Sequence, residues 1–288
     1  MKLATIATVH GTRVVALKDL DFVDLHASDH SLPRTLKGLI EGGPECFRRA
    51  AVAMEKPHAT RIPARGVQYL PPIPDPNKII CIGLNYRDHA LEQGANVPKE
   101  PVVFSKFATT LIGHEHAIEL PTASGEVDFE AELVVVIGKR GRRVKEADAM
   151  DFVAGYMVGH DVSARDWQKK KEGKQWLLGK SFDTFAPTGP CFVTADDIKD
   201  PHQLDITCRV NDKLMQSSNT SQLIFSVPFI IAYITQVFTI EPGDLLFTGT
   251  PAGVGFARQP PVFLKAGDVI EIEIQDIGVL RNHVVQGI

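Results

Sequence analysis

Cysteine is scarce in this 288-residue chain: Cys46, Cys81, Cys191 and Cys208 include no CxxC pair and no histidine partner at zinc-finger spacing. A disulfide framework and a thiolate zinc site are thereby excluded, and four small buried apolar side chains are expected instead. No stretch approaches the ~20 consecutive apolar residues of a membrane span. A basic excess is missing too. The 31 Lys and Arg face 35 Asp and Glu, for a net charge of −4, so neither nucleic acid nor an anionic membrane meets a cationic footprint. The opening Met1-Lys2-Leu3-Ala4-Thr5 starts no sustained apolar run, and the expected compartment is the cytoplasm or an organelle matrix. Internal repeats and a regular strand–helix alternation are also lacking, which argues against a doubly wound sheet or a TIM barrel.

What is present is β-rich. A strand pair is predicted around Gly11 to Leu17, followed by helical stretches broken at Gly42-Gly43-Pro44. Four prolines within 71–76 forbid helix and central strand alike, giving a small N-terminal domain at 1–70, a linker at 71–77 and a catalytic domain at 78–288. Short β-like runs then dominate, at 79–82, 133–137, 204–210, 245–248 and 269–274. One amphipathic helix interrupts them, with Val227, Ile230, Ile231, Ile234, Val237 and Phe238 at helical spacing and Ser226 as N-cap. The fold class expected is α+β.

Glu130 and Glu132 run straight into the apolar segment Leu133-Val134-Val135-Val136-Ile137. Alternation along a strand aims both carboxylates to one side, and two like charges in a poorly hydrated place need protons or a cation. A solvated pair is the competing reading. Glu271-Ile272-Glu273, which alternates with isoleucines, shows that pattern. Asp161 ends the buried-looking run from Gly155 and completes a three-carboxylate oxygen set suited to Mg²⁺, Mn²⁺ or Ca²⁺, although a lone Asp there can also be a turn residue.

Other candidates are weaker when taken singly. His89 and Glu92, three apart in a short helix, would share a face as a general-base dyad or as an idle exposed pair. Lys180, after an apolar stretch, needs a partner, either a substrate carboxylate or Asp183. The amides and Thr250 hydroxyl of the turn Gly249-Thr250-Pro251-Ala252-Gly253-Val254-Gly255 could hold an oxyanion, but no nucleotide fingerprint is present. His114-Glu115-His116 reads as a surface turn.

In order, the blocks Gly83-Leu84-Asn85-Tyr86 with His89, Val127 to Leu133, His160 to Asp166, Gly179 to Asp183 and Gly249 to Gly255 resemble the fumarylacetoacetate hydrolase superfamily over 78–285. Arg165-Asp166-Trp167-Gln168, with Lys174-Gln175-Trp176, Asn211 and Gln216 to Thr220, is most similar to its fumarylacetoacetate hydrolase domain-containing 2 branch. The resemblance implies a mixed β-roll catalytic domain with a small N-terminal α+β domain, a homodimer, and one Mg²⁺ or Mn²⁺ on Glu130, Glu132 and Asp161. It also implies a lid dyad of His89 and Glu92, with Gln168, Lys180 and Thr250 on the substrate. Members that cleave fumarylacetoacetate carry a further aspartate ligand that has no match upstream of Glu130, which argues against that substrate.

The expected chemistry is divalent-metal-dependent: a small 2-oxo acid forms an enolate, and C–C hydrolysis of an acylpyruvate, oxaloacetate decarboxylation or keto–enol tautomerisation follows. Two alternatives are a metal-dependent phosphoryl-transfer enzyme and a non-catalytic metal-binding relative.

Overall fold

The computed structural model describes residues 1–287. Its largest element is a 12-stranded mixed sheet. From one edge the main path runs Arg61–Pro63, Asp21–Asp24, Gly11–Lys18, Lys2–Thr8, Ala186–Thr194, Val153–His160, Ala131–Ile137, Leu245–Phe247, Ile79–Gly83 and Val102–Lys106. A second sheet of five strands joins Lys213–Asn219, Asp205–Val210, Val269–Ile274, Gly278–Gln286 and Ala117–Leu120. Few helices accompany them, so the chain is α+β and strand-dominated.

Alternation explains how the large sheet is covered. In Ala131–Ile137 every residue is buried. Leu133, Val135 and Ile137 face one core, shared with the helix Val227–Ile234 and the five-stranded sheet, whereas Val134 and Val136 face another, shared with Leu36, Leu39 and Ala50 of the N-terminal helices. Burying each such side chain contributes about 1.5–3 kcal/mol, enough in sum to hold acids in poor solvent at the strand's start. The Pro-rich segment does not separate two sheets. Lys2 and Leu3 pair with Val193 and Phe192, so the first strand extends the same sheet as the 78–285 region.

Ser226 caps the predicted helix by accepting from Phe229 N, but the helix stops at Ile234, not Phe238. Thr235 ends it. Its carbonyl accepts from Arg143 N at 2.8 Å and its Oγ1 from Val144 N at 3.0 Å, so the neighbouring loop takes groups that a further turn would use. Val237 is left exposed as a result. Cys81, Cys191 and Cys208 are buried, Cys46 is half-buried, and all four are free. His114 and Glu115 lie in a turn.

Candidate active site

Three strand ends converge on one point. The two-residue strand Val127–Asp128 breaks at Phe129-Glu130, and Ala131–Ile137 begins one residue later, so Glu130 sits in the break and Glu132 inside the second strand. Asp161 follows the last residue of Val153–His160, and its amide donates to Glu130 O at 2.9 Å. Glu130, Glu132 and Asp161 are all buried, with candidate ligand oxygens within 4.8 Å of one another.

Cations surround these acids. Lys180 Nζ donates to Glu130 Oε2 and Asp161 Oδ2, both at 2.7 Å. The sequence alternative, a pair with Asp183, is not the one formed. Arg165 donates to Asp128 Oδ2 at 2.8 Å, to Gln168 Oε1 at 2.8 Å and to Glu130 Oε1. Lys106, wholly buried, lies 2.7 Å from Asp161 Oδ1 and donates to the carbonyls of Val162, Lys180 and Phe185.

The charge states follow from this arrangement. Burial alone would raise the Glu130 carboxyl, but Arg165 and Lys180 overcome it and hold the group well below the carboxylate range. Glu132 has no cation against it: burial, reinforced by Asp161 and Glu130, pushes it well above that range. For Lys180 burial works downward, yet Asp161 and Glu130 raise it above an ordinary lysine. Burial lowers Lys106 despite Asp161, and takes the neighbouring His160 imidazole down to about 3 with help from Lys106.

Amides of the glycine-rich turn serve carboxylates of the protein itself. Gly249 N donates to Glu132 Oε2 at 2.8 Å, Gly253 N to Glu92 Oε1 at 2.9 Å, and Gly255 N and Phe256 N to Asp128 at 2.7 and 3.1 Å. Gly249 and Gly253 both sit at φ +103°, and a Cβ on Gly253 would stand 2.1 Å from Met215 O, so neither turn position accepts a side chain. Gln216 fastens the turn to the Glu-x-Glu strand, donating to Thr250 Oγ1 and Pro251 O and accepting from Ala131 N.

His89 and Glu92 meet as expected in the helix Arg87–Glu92, with Nδ1 3.2 Å from Glu92 Oε2. The other ring nitrogen lies 2.6 Å from the Gln93 amide; one tautomer satisfies both, with Nδ1–H donating to Glu92 and Nε2 accepting from Gln93. His89, Gln168, Lys180, Thr250 and the three acids line a single cavity of about 190 Å³. Glu92 stands behind His89 and does not line it.

The donor set fits a hard divalent ion. Only oxygens converge, and of the three acids Glu132 lacks a cationic partner and must keep a proton unless a cation arrives. Sequence reasoning missed Lys106 and gave no role to Gln216, Arg165 or Asp128. For Asp128 a signal existed, since Asp128, Glu130 and Glu132 continue one alternation.

Comparison with known proteins agrees. Residues 78–285 match the family model for fumarylacetoacetate (FAA) hydrolase, C-terminal. The oxaloacetate tautomerase fahd2, mitochondrial, of Xenopus laevis is 52% identical over 265 residues, covering 92% of this chain and 83% of that protein. A fumarylacetoacetate hydrolase from Exiguobacterium antarcticum superposes with a TM-score of 0.87 at 33% identity, covering 100% of both chains. Maleylpyruvate hydrolase from Sphingobium sp. SYK-6, in complex with manganese (II) and pyruvate, gives 0.82 at 34%, again over 100% of both. None of the three is a phosphoryl-transfer enzyme, and that alternative has no support. The chain belongs to the fumarylacetoacetate hydrolase family.

Proposed function

We propose that this protein is a divalent-metal-dependent enzyme that interconverts the keto and enol forms of oxaloacetate or a closely related small 2-oxo acid. The observation that carries the reading is the joint placement of three buried carboxylates and His89, backed by Glu92, on one small cavity. At about 190 Å³ it falls below the roughly 300–1,000 Å³ of ordinary ligand pockets, which suits a short acid. Mg²⁺ or Mn²⁺ would be held by Glu130, Glu132 and Asp161 and would supply the positive charge that a developing enolate requires. The manganese and pyruvate of the Sphingobium hydrolase and the Xenopus tautomerase both support this choice.

The chain's own residues do the rest. His89 takes a proton from C3 once the Gln93 amide leaves Nε2, and Glu92 fixes the tautomer and stabilises the imidazolium. A proton returned to the keto oxygen completes the isomerisation, so no water adds and no carbon–carbon bond breaks. Lys180 helps keep Glu130 ionised and aligns Glu130 with Asp161, while Gln168 and Thr250, held by Arg165 and Gln216, orient the substrate.

A homodimer belongs to the same reading, supported by the exposed edge strand Val102–Lys106 with Val102, Val103 and Phe107 outward. The mitochondrial designation of the Xenopus relative supports the matrix half of the expected compartment, and no helix among the described residues is long and apolar enough to cross a membrane. The deciding experiment follows enol-to-keto conversion of oxaloacetate and deuterium exchange at C3 by NMR, with Mg²⁺ and after chelation. Rapid exchange that chelation abolishes is expected. Full activity in the chelated protein would remove the proposal.

A further inference from the structure

Three lysines in succession, Lys169, Lys170 and Lys171, follow the cavity residue Gln168 and have different fates. Lys170 pairs with Glu126, and Lys171 Nζ lies 4.9 Å over the Trp167 ring. Lys169 alone lines the cavity. Among the described residues no carboxylate lies within ion-pair distance of it; its Nζ rests 3.5 Å from the centroid of Phe256, a ring that also takes the Arg165 guanidinium at 4.4 Å. Phe256 therefore aims the ammonium without neutralising it.

The deeper charges are already committed. Asp128, Glu130, Glu132 and Asp161 face Arg165, Lys180 and Lys106, four acids against three cations, every cation in an ion pair. With a divalent ion on its three ligands, the interior carries one net positive charge and is matched by the single carboxylate of a 2-oxo monoacid. Lys169 adds a second positive charge at the mouth, with Gln168, Thr250 and Phe256 around it. Lys169 is exposed to solvent, and what distinguishes it from its two neighbours is its seat on the Phe256 ring beside the cavity.

We infer that Lys169 selects a second carboxylate, pairing with the distal carboxylate of a 2-oxo dicarboxylate whose oxo-acid end lies at Glu130, Glu132 and Asp161. This rests on the oxo-acid reading of the site. Partial desolvation and the charge of Arg165 bring the Lys169 ammonium down to about 8, so an arriving carboxylate secures its proton at neutral pH.

The test compares oxaloacetate with 2-oxobutanoate, which replaces the distal carboxylate by a methyl group, on Mg²⁺-loaded wild-type, Lys169→Gln and Lys169→Arg proteins. The readout is the ratio of KM for oxaloacetate to KM for 2-oxobutanoate, from deuterium exchange at C3. In Lys169→Gln the ratio rises about tenfold, equivalent to about 1.4 kcal/mol, and Lys169→Arg returns most of it. An unchanged ratio, including one in which both constants rise together, overturns the inference. Calorimetric Kd values for the same pair keep the two readings apart. If neither acid exchanges, the tautomerase proposal falls, while a wild-type preference for binding the dianion, lost in Lys169→Gln, still supports Lys169. Equal affinities for both ligands overturn it.

Discussion

Replacing Glu132 by Gln separates two consequences of one buried carboxyl. In the metal-free protein burial, Asp161 and Glu130 raise its affinity for a proton, so an amide, which mimics the protonated acid, leaves the fold intact. A carboxyl whose folded pKa is raised above the unfolded value near 4.3 stabilises fully below that value and loses its contribution as pH rises through the folded one, each tenfold in proton affinity amounting to about 1.4 kcal/mol. Metal-free Glu132→Gln should therefore melt no lower than metal-free wild type at pH 8, and its melting temperature should fall less between pH 5 and 8. With Mg²⁺ at about 100 times its Kd, wild type gains about 2.7 kcal/mol, or about 5–10 °C for a chain of this size. If losing the ligand weakens binding about 100-fold, the upper end for an outer-shell partner, the same Mg²⁺ yields only about 0.4 kcal/mol, near 1 °C. Scanning calorimetry with and without Mg²⁺ reads both effects. A full Mg²⁺ shift in the variant, or a metal-free variant clearly less stable at pH 8, would refute the assignment of Glu132.

His89→Ala should leave the Mg²⁺-induced melting shift in place while lowering C3 proton exchange by roughly 10²–10⁴; unchanged exchange would dismiss the dyad. Lys106→Met, which strips three carbonyls and Asp161 of a buried ammonium, should cost about 3–5 kcal/mol in denaturant unfolding, and a loss below ~1 kcal/mol would mean that those groups find other partners. The division at 71–77 is a proposal about sequence organisation, and a chain starting at Lys78 should aggregate: it would bare Val134, Val136, Phe192 and Phe247, which pack with the N-terminal helices. A monodisperse, cooperatively melting fragment would show instead that 78–288 folds alone.

Much of the site was legible because its chemistry lies close together in sequence. Period-two spacing brought Glu130 and Glu132 to one side, a strand end presented Asp161, and a three-residue step joined His89 to Glu92. What escaped depends on pairing between distant segments. Lys106 reads as an unremarkable strand terminus, and its burial arises only because Val102–Lys106 ends beside the loop carrying Asp161 and near the Lys180 carbonyl, 74 residues on. The glycine-rich turn was recognisable as a donor of amides, but its sequence does not say that Glu132, Glu92 and Asp128 are the anions it serves. Likewise the register of Lys2 on Val193, which merges the N-terminal region with the main sheet, has no local signature.

The same turn explains why the dyad and the carboxylate cluster stay in one place. Gly249 holds Glu132 and Gly253 holds Glu92, four residues apart on a segment whose positive φ angles leave it little freedom to relax. The helix Arg87–Glu92 is otherwise attached through Asp88 to Ser218 and through Arg87 to the carbonyls of Ser221 and Leu223. A substrate that draws Gln93 off His89 thus need not loosen Glu92, because the bond to Gly253 comes from the opposite carboxylate oxygen. The imidazole can exchange one partner while its orientation persists, as the proposed proton-transfer role of His89 requires.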